Sequence, residues 1–117
     1  ELNMSVKMRS QDSWFGFGSD IPCFSFIHEM LYMLLKDKYV GLKIGSYYHS
    51  VDSFHVYEQH FDLVKKISQK NSKFSFVDCP RISSSVEVRF LTSRYFLFSE
   101  GKVEIPKQYK FAQWLVS

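Results

Sequence analysis

Cysteine, proline and glycine are scarce in this sequence of 117 residues, which contains only 2, 3 and 5 of them. Two cysteines are too few for a disulfide framework, and neither Cys23 nor Cys79 has the CxxC or Cys/His companion of a structural zinc site. The sequence has no signal-peptide pattern and no apolar run long enough to span a membrane. We therefore expect a protein of a reducing cytoplasm that binds neither a membrane nor a metal.

Long runs of one charge sign are also missing, since 15 basic and 12 acidic residues are mixed along the chain and give a net charge of +3. This balance suits a small anionic ligand better than a polyanion, so we expect no direct nucleic-acid binding. With 45% hydrophobic and 18% aromatic residues, the chain can build a core of single-domain size.

The chain is organised around the stretch from Met8 to Asp20, which reads MRSQDSWFGFGSD. Arg9 offers a planar fork of donors to a phosphate, and Ser10 adds a hydroxyl group. Gly16 and Gly18 would let the backbone come close to a flat ligand. The stretch is therefore interpreted as a binding site for a ligand that carries an anionic group and a flat aromatic base.

The elements around this stretch follow from apolar periodicity. Alternating apolar residues from Leu2 to Met8 predict a strand with one buried face. Asp20 before an apolar segment is typical of a helix N-cap, and Pro22 suits the first turn. The segment from Ile21 to about Asp37 is apolar nearly all round, which predicts a long buried helix.

A second strand is predicted from Leu42 to Tyr57, with a bend near Asp52. His55 and Tyr57 are two residues apart, so their side chains point to one face and can converge on one hydroxyl group. The alternative is a half-exposed strand that happens to carry polar residues.

The remaining sequence predicts a short amphipathic helix and then a β-rich tail. The helix runs from Glu58 to about Lys70, with Phe61, Val64 and Ile67 buried and the lysines solvated. We divide the domain into a core of residues 1–70 and a divergent β-rich tail of residues 71–117. The predicted tail elements are strands at 74–76 and 86–90, a hairpin formed by 95–98 and 103–105, and a closing helix or docked segment at 111–116.

Two motifs in this order, the Met8–Asp20 stretch and the strand that ends in His55 and Tyr57, make the chain resemble the thymidylate synthase family. The resemblance covers roughly Leu2 to Ile67. It is greatest to the phage deoxycytidylate (dCMP) hydroxymethylases, whose motif Met-Arg-Ser-x-Asp-x-x-Phe-Gly-Phe-x-x-Asp is matched here. It implies part of an α/β (α+β) domain, with a mixed sheet packed on a long buried helix.

The resemblance also implies roles for individual residues. Arg9 and Ser10 would hold the 5′-phosphate of a pyrimidine nucleotide, and His55 with Tyr57 would bind the deoxyribose 3′-hydroxyl. Asp12 and Gly16 would border the base and the folate cofactor, 5,10-methylenetetrahydrofolate. The family works as homodimers, so a homo-oligomer is expected. If the protein is phage-encoded, it would act in the host cytoplasm.

Asp20 carries the expectation about the base. Thymidylate synthases have an asparagine at this position, whose amide accepts from the N3–H of uracil and donates to its O4. A carboxylate can accept from the C4 amino group of cytosine but has no amide donor to give. The resemblance therefore favours dCMP as the substrate of a folate-dependent hydroxymethylase or methyltransferase.

The nucleophilic cysteine of the family lies upstream of the Arg-Ser motif, and no residue before Arg9 is a cysteine. Cys23 falls on the predicted helix and Cys79 lies outside the resembling region, so neither is assigned as catalytic. Three interpretations stay open: the C-terminal portion of an enzyme whose other half lies on a missing segment or another chain, an inactive nucleotide-binding module, and a scaffold subunit. We favour the first because the polar set of Arg9, Ser10, Asp12, Gly16, Asp20, His55 and Tyr57 is present together.

We expect residues 1–117 alone to be catalytically silent, because covalent activation of C6 of the pyrimidine needs a thiolate that the motif region does not contain. The measurement is folate-dependent release of tritium from C5-labelled dCMP. Turnover that persists after both cysteines are replaced by serine would show that the assigned mechanism is wrong.

Overall fold

The computed structural model describes residues 1–70 and 78–117. The predicted strand at 74–76 lies outside these residues. The chain forms two compact units, one of Asn3–His28 with Gly45–Phe76 and one of Glu1–Leu2, Glu29–Ile44 and Val77–Ser117. Its elements in order are β1 (Leu2–Asp12), α1 (Gly16–Lys36), β2 (Ile44–His55), a 3₁₀ turn (Glu58–His60), α2 (Phe61–Gln69), α3 (Ser85–Ser99) and α4 (Lys110–Leu115).

The two strands form a parallel pair. The Leu2 N–H donates to the Lys43 carbonyl at 2.9 Å, and the Ser13 N–H donates to the His55 carbonyl at 2.8 Å. Because the paired positions rise together along both strands, the strands run in the same direction, and α1 is the crossover that a parallel pair requires. The α/β class predicted from the sequence is confirmed.

Strand β1 shows the predicted alternation and then departs from it. Leu2, Met4, Val6 and Met8 are half-buried, whereas the residues between them are exposed. After Met8, both Arg9 and Ser10 are exposed and Gln11 is buried, so the inward face changes by one residue. Strand β2 loses its alternation at 52–54, where three successive residues are exposed. These shifts decide which polar side chains lie inside at the carboxyl ends of the strands.

Helix α1 begins at Gly16, five residues before the predicted start at Ile21. The cause is Asp12, whose carboxylate accepts from the backbone N–H groups of Trp14 at 3.2 Å and Phe15 at 2.7 Å. This closes a turn that leads directly into the helix. The prediction that Asp20 is the N-cap is therefore wrong, since Asp20 lies inside the helix.

The prediction that α1 is buried on nearly all sides is also corrected. His28 is 4% exposed, but Ile27, Leu31 and Leu34 are 41%, 44% and 38% exposed. A sheet of two strands is too narrow to cover every side of a helix of 21 residues. Among the described residues, no helix is long and apolar enough to cross a membrane.

Helix α2 has the predicted place but not the predicted burial. Phe61 and Ile67 are 56% and 44% exposed, and no residue of α2 is buried. Its lysines are exposed, as predicted.

The predicted strand at 86–90 and the predicted hairpin are wrong, because 86–90 and 95–98 lie in α3 and 103–105 forms no strand. Ser84 and Glu87 have capping-box spacing, and the Ser84 hydroxyl accepts from the Glu87 N–H at 3.2 Å. This local signal outweighs the strand preference of Val86 and Val88. The short closing helix is confirmed as α4, and the division of the domain at residue 70 stays a prediction.

Glu87 connects the start of α3 to α4. It is fully buried and accepts from the Ser83 N–H at 2.7 Å, the Ser83 hydroxyl at 2.5 Å and the Ala112 N–H at 3.1 Å. Ile82, Val88 and Ala112 are buried in the same unit. The buried carboxylate is thus fully used by hydrogen bonds that the fold itself provides.

Glu87→Ala should lower the free energy of unfolding by about 3 kcal/mol, because it leaves buried donors without an acceptor. Urea denaturation measures the change. The matched control is Glu104→Ala, at an exposed position, which should change stability by less than about 0.5 kcal/mol. Similar losses for the two variants would contradict the role assigned to Glu87.

Candidate functional site

The polar residues singled out in the sequence gather where β1 and β2 end. Ligands of open α/β sheets bind at the carboxyl ends of parallel strands. The Ser13–His55 backbone hydrogen bond joins the two strand ends here. The candidate site therefore lies at these strand ends.

Ser10, His55 and Tyr57 form one cluster. Ser10 Oγ lies 3.4 Å from His55 Nδ1, and the His55 and Tyr57 rings meet edge to face with centroids 5.0 Å apart. Tyr57 lies two residues beyond the end of β2 rather than on it, with extended backbone angles that continue the strand direction. The side chains of His55 and Tyr57, which the sequence predicts on one face, are therefore in ring contact.

Arg9 precedes this cluster on β1 and is exposed. Within the described part of the chain, its guanidinium group has no hydrogen-bond or ion-pair partner, so its donors are open to a ligand. Lys7, on the same strand, instead pairs with Asp52 at 3.5 Å. Lys7 is therefore partly used by an exposed ion pair, whereas the Arg9 donors have no such partner among the described residues.

Asp20 belongs to a chain of hydrogen bonds that the sequence did not predict. Gln11 Nε2 donates to Asp20 Oδ2 at 2.8 Å, and Gln11 Oε1 lies 2.7 Å from His49 Nε2. The Tyr47 hydroxyl lies 2.6 Å from His49 Nδ1. Burial, followed by the negative charge of Asp20, raises the pKa of Tyr47 and keeps its phenol protonated.

Gln11, His49 and Tyr47 are thus site residues that sequence reasoning missed. Two weak signals pointed to them. Tyr47 and His49 are two residues apart on a strand, the same spacing that drew attention to His55 and Tyr57. Gln11 lies inside the motif itself, but its burial follows from the change of face after Met8, which the motif does not encode.

Asp12 and Gly16 shape the turn between β1 and α1. The backbone N–H of Phe15 is the main cause that lowers the pKa of Asp12, with smaller contributions from other groups of the turn, so this carboxyl group is ionised at neutral pH. A Cβ at Gly16 would lie 3.3 Å from Gln11 Cγ. Gly16 therefore leaves room for the Gln11 side chain, whereas a Cβ at Gly18 would meet nothing within 4 Å.

Aromatic rings border this turn. Trp14 stacks on His60 with centroids 5.8 Å apart, and Phe15 meets the same imidazole edge to face at 5.2 Å. His60 Nδ1 is buried and has no hydrogen-bond partner among the described residues. Phe15 is 64% exposed, which leaves a flat apolar surface beside the Asp12 carboxylate.

The two cysteines are not paired with each other, so each is a possible nucleophile. Cys23 and Cys79 are both free and exposed. Desolvation, followed by the nearby charge of Glu29, raises the pKa of the Cys79 thiol, which disfavours a thiolate. No group of His, Cys, Asp or Glu within residues 1–70 and 78–117 is arranged to hold a metal ion.

Comparison with known proteins identifies the family. The sequence profile of the family described as Thymidylate synthase matches residues 1–93 of the chain. The chain therefore belongs to the thymidylate synthase family. The match extends well beyond Ile67, where the resemblance seen in the sequence ended, and reaches into α3. No curated protein and no solved structure matched the chain.

The family implies folate-dependent C5 methyltransferase-type chemistry on a pyrimidine nucleotide, and its members are typically dimeric. Methylenetetrahydrofolate is the family's general one-carbon donor.

Asp12 should titrate below 3.8, the ordinary value for an aspartate, because the turn donates N–H groups to its ionised form. A lowered folded-state pKa means that this stabilisation is present above the unfolded-state pKa and is lost as pH falls through the folded-state pKa. Carbon-13 NMR of the carboxyl group and the Phe15 amide shift should report the same midpoint. In Asp12→Asn, the Phe15 amide should lose this titration step, and a step that persists would contradict the assignment.

Proposed function

We propose that this chain is the C-terminal portion of a folate-dependent pyrimidine-nucleotide C5 hydroxymethylase or methyltransferase that prefers dCMP. Residues 1–70 form its nucleotide-binding core. The main support is that Ser10, His55 and Tyr57 lie together, and that Arg9, next to Ser10 on β1, is exposed with its guanidinium donors open. A domain that served only as a scaffold has no physical need for this arrangement.

Arg9 and Ser10 bind the 5′-phosphate. A guanidinium group without a partner can donate two parallel hydrogen bonds to phosphate oxygens, which Lys7, paired with Asp52, is less free to do. His55 and Tyr57 bind the 3′-hydroxyl group of the deoxyribose, because an imidazole and a phenol in contact can between them donate to it and accept from it. Arg9 and Tyr57 thus fix the two ends of the sugar phosphate.

Asp20 recognises the base. Its Oδ2 atom is used by the Gln11 amide, and within the described residues its Oδ1 atom is left for a ligand. A carboxylate oxygen accepts from the C4 amino group of cytosine but meets another acceptor in uracil O4. The preference for dCMP over deoxyuridylate (dUMP) rests on this difference.

The residues of the turn after β1 fit a folate. The ionised Asp12 can accept from N–H donors of a pterin ring, and the exposed Phe15 offers a flat apolar surface beside it. The folate, when bound, supplies the one-carbon unit for C5 of the base. Gln11 packs against Gly16 in this turn, and a side chain at position 16 would crowd the Gln11 side chain.

The thiolate that activates C6 comes from outside residues 1–117, either from a further segment of the same protein or from a partner chain. Cys23 lies on α1 and Cys79 is disfavoured as a thiolate, so neither is assigned this role. A homodimer is the proposed assembly and the cytoplasm the proposed setting, that of the host if the protein is phage-encoded. The exposed apolar residues of α1 favour one alternative, a catalytically inactive nucleotide-binding or scaffold subunit.

Asp20→Asn should shift binding from dCMP toward dUMP. A buried polar group left without a complementary partner costs about 1–3 kcal/mol, so the ratio of the two dissociation constants should change roughly 5- to 150-fold. Calorimetric titration of the full chain with each nucleotide measures the ratio. An unchanged ratio would remove the reason for assigning cytosine.

Arg9→Ala should weaken dCMP and dUMP alike, because the phosphate carries no information about the base. Lys7→Ala is the matched control, since it removes a cation two residues away on the same strand that is already paired with Asp52. It should leave both dissociation constants within about twofold. Equal losses in the two variants would point to general charge attraction rather than a phosphate site, and a chain that binds neither nucleotide would support the scaffold alternative.

A further inference from the structure

Gln11 occupies the central position of the hydrogen-bond chain that ends at Asp20. It is 3% exposed, and its amide group bonds to one residue on each side. A glutamine amide has one donor end and one acceptor end, so turning it through 180° exchanges the two. The orientation of the Gln11 amide therefore decides whether Asp20 faces a hydrogen-bond donor or a hydrogen-bond acceptor.

Each bond in the chain fixes the next one. With Nε2 donating to Asp20, Oε1 faces His49 Nε2, which must then carry a hydrogen. In a neutral imidazole, Nδ1 is then an acceptor and accepts a hydrogen bond from the Tyr47 hydroxyl group. The direction is therefore consistent along the whole chain, from the Tyr47 phenol to the Asp20 carboxylate.

The opposite direction has a different chemical meaning. If the Gln11 amide turned over, its oxygen would face Asp20, which would then need a proton of its own to form the bond. Asp20 would become a donor instead of an acceptor. The two directions of the chain thus correspond to two hydrogen-bonding characters of the residue assigned to base recognition.

Packing holds the participants in place. The His49 ring has three aromatic neighbours, with centroid distances of 6.1 Å to Phe17, 6.4 Å to Phe24 and 5.9 Å to Tyr47. Gly16 has no Cβ, and this leaves room for the Gln11 side chain. Neither the imidazole nor the amide can leave its position without disturbing these contacts.

We propose that Gln11 is a positioning residue that keeps Asp20 a hydrogen-bond acceptor, and thereby sets the preference for an amino-bearing base, with His49 and Tyr47 fixing the direction of the Gln11 amide. This inference rests on the proposed function of Asp20. It adds that base preference is shared by four residues on β1, α1 and β2.

The first test needs no nucleotide. Nitrogen-15 NMR of the imidazole groups in the full chain should show His49 as the Nε2–H tautomer, with Nδ1 accepting a hydrogen bond. Tyr47→Phe should remove that bond and shift the Nδ1 signal. Tyr48→Phe is the matched control, because Tyr48 is the exposed neighbour on the other face of β2. An Nδ1–H tautomer in the wild type would overturn the proposed direction.

The second test measures the ratio of dissociation constants for dCMP and dUMP. Gln11→Met keeps the length of the side chain, but the methionine cannot donate a hydrogen bond to Asp20 or hold the Asp20 carboxylate in its orientation. This variant should lower the preference for dCMP about tenfold. His49→Phe keeps the ring packing and frees the amide to turn, so it should lower the preference by a smaller factor. Tyr48→Phe should leave the ratio unchanged.

The outcomes separate this inference from the proposed function. If Asp20→Asn changes the ratio and Gln11→Met does not, the proposed function stands and this inference is wrong. If Gln11→Met lowers stability but leaves the ratio unchanged, Gln11 is structural only and the inference is again wrong. If the wild type binds neither nucleotide, the proposed function fails and the base preference fails with it, while the tautomer of His49 still decides the hydrogen-bond direction.

Discussion

The backbone hydrogen bond from Ser13 to His55 is the contact on which the site depends. It fixes the ends of two strands that are separated in sequence by α1. Because the strands are parallel, their carboxyl ends lie at the same edge, and residues 10–12 of β1 come close to the end of β2. A change of register by one residue would turn Ser10 away from His55 and Gln11 away from His49.

Burial of polar groups follows the same constraint. A buried amide is stabilised when its donors and acceptors are used, because a buried polar group without a partner costs free energy. Gln11 and His49 satisfy each other across the strand pair, and the chain of bonds ends at a phenol on one side and a carboxylate on the other. These hydrogen bonds therefore pair the buried Gln11 amide and also make Asp20 a hydrogen-bond acceptor.

The unit that contains α3 and α4 solves a similar problem with one carboxylate. Glu87 accepts from the segment before α3 and from the Ala112 N–H, so the same side chain holds a helix start and a second helix. Sequence reasoning predicted strands over part of this region because Val86, Val88 and Phe90 alternate. The capping residues and the buried acceptor outweigh that alternation, since strand preference depends on neighbouring strands and residues 78–117 form none.

Sequence alone determined the features that are local. The alternation of β1 and the apolar content of α1 could be recognised from periodicity, and the motif residues Arg9, Ser10, His55 and Tyr57 from the resemblance to the family. Only the tertiary structure decided that Asp20 lies inside α1 and bonds to Gln11, and that His49 and Tyr47 complete the chain. The physical reason is distance along the chain, because Gln11 and His49 are 38 residues apart and meet only through strand register and a change of face that no local pattern encodes.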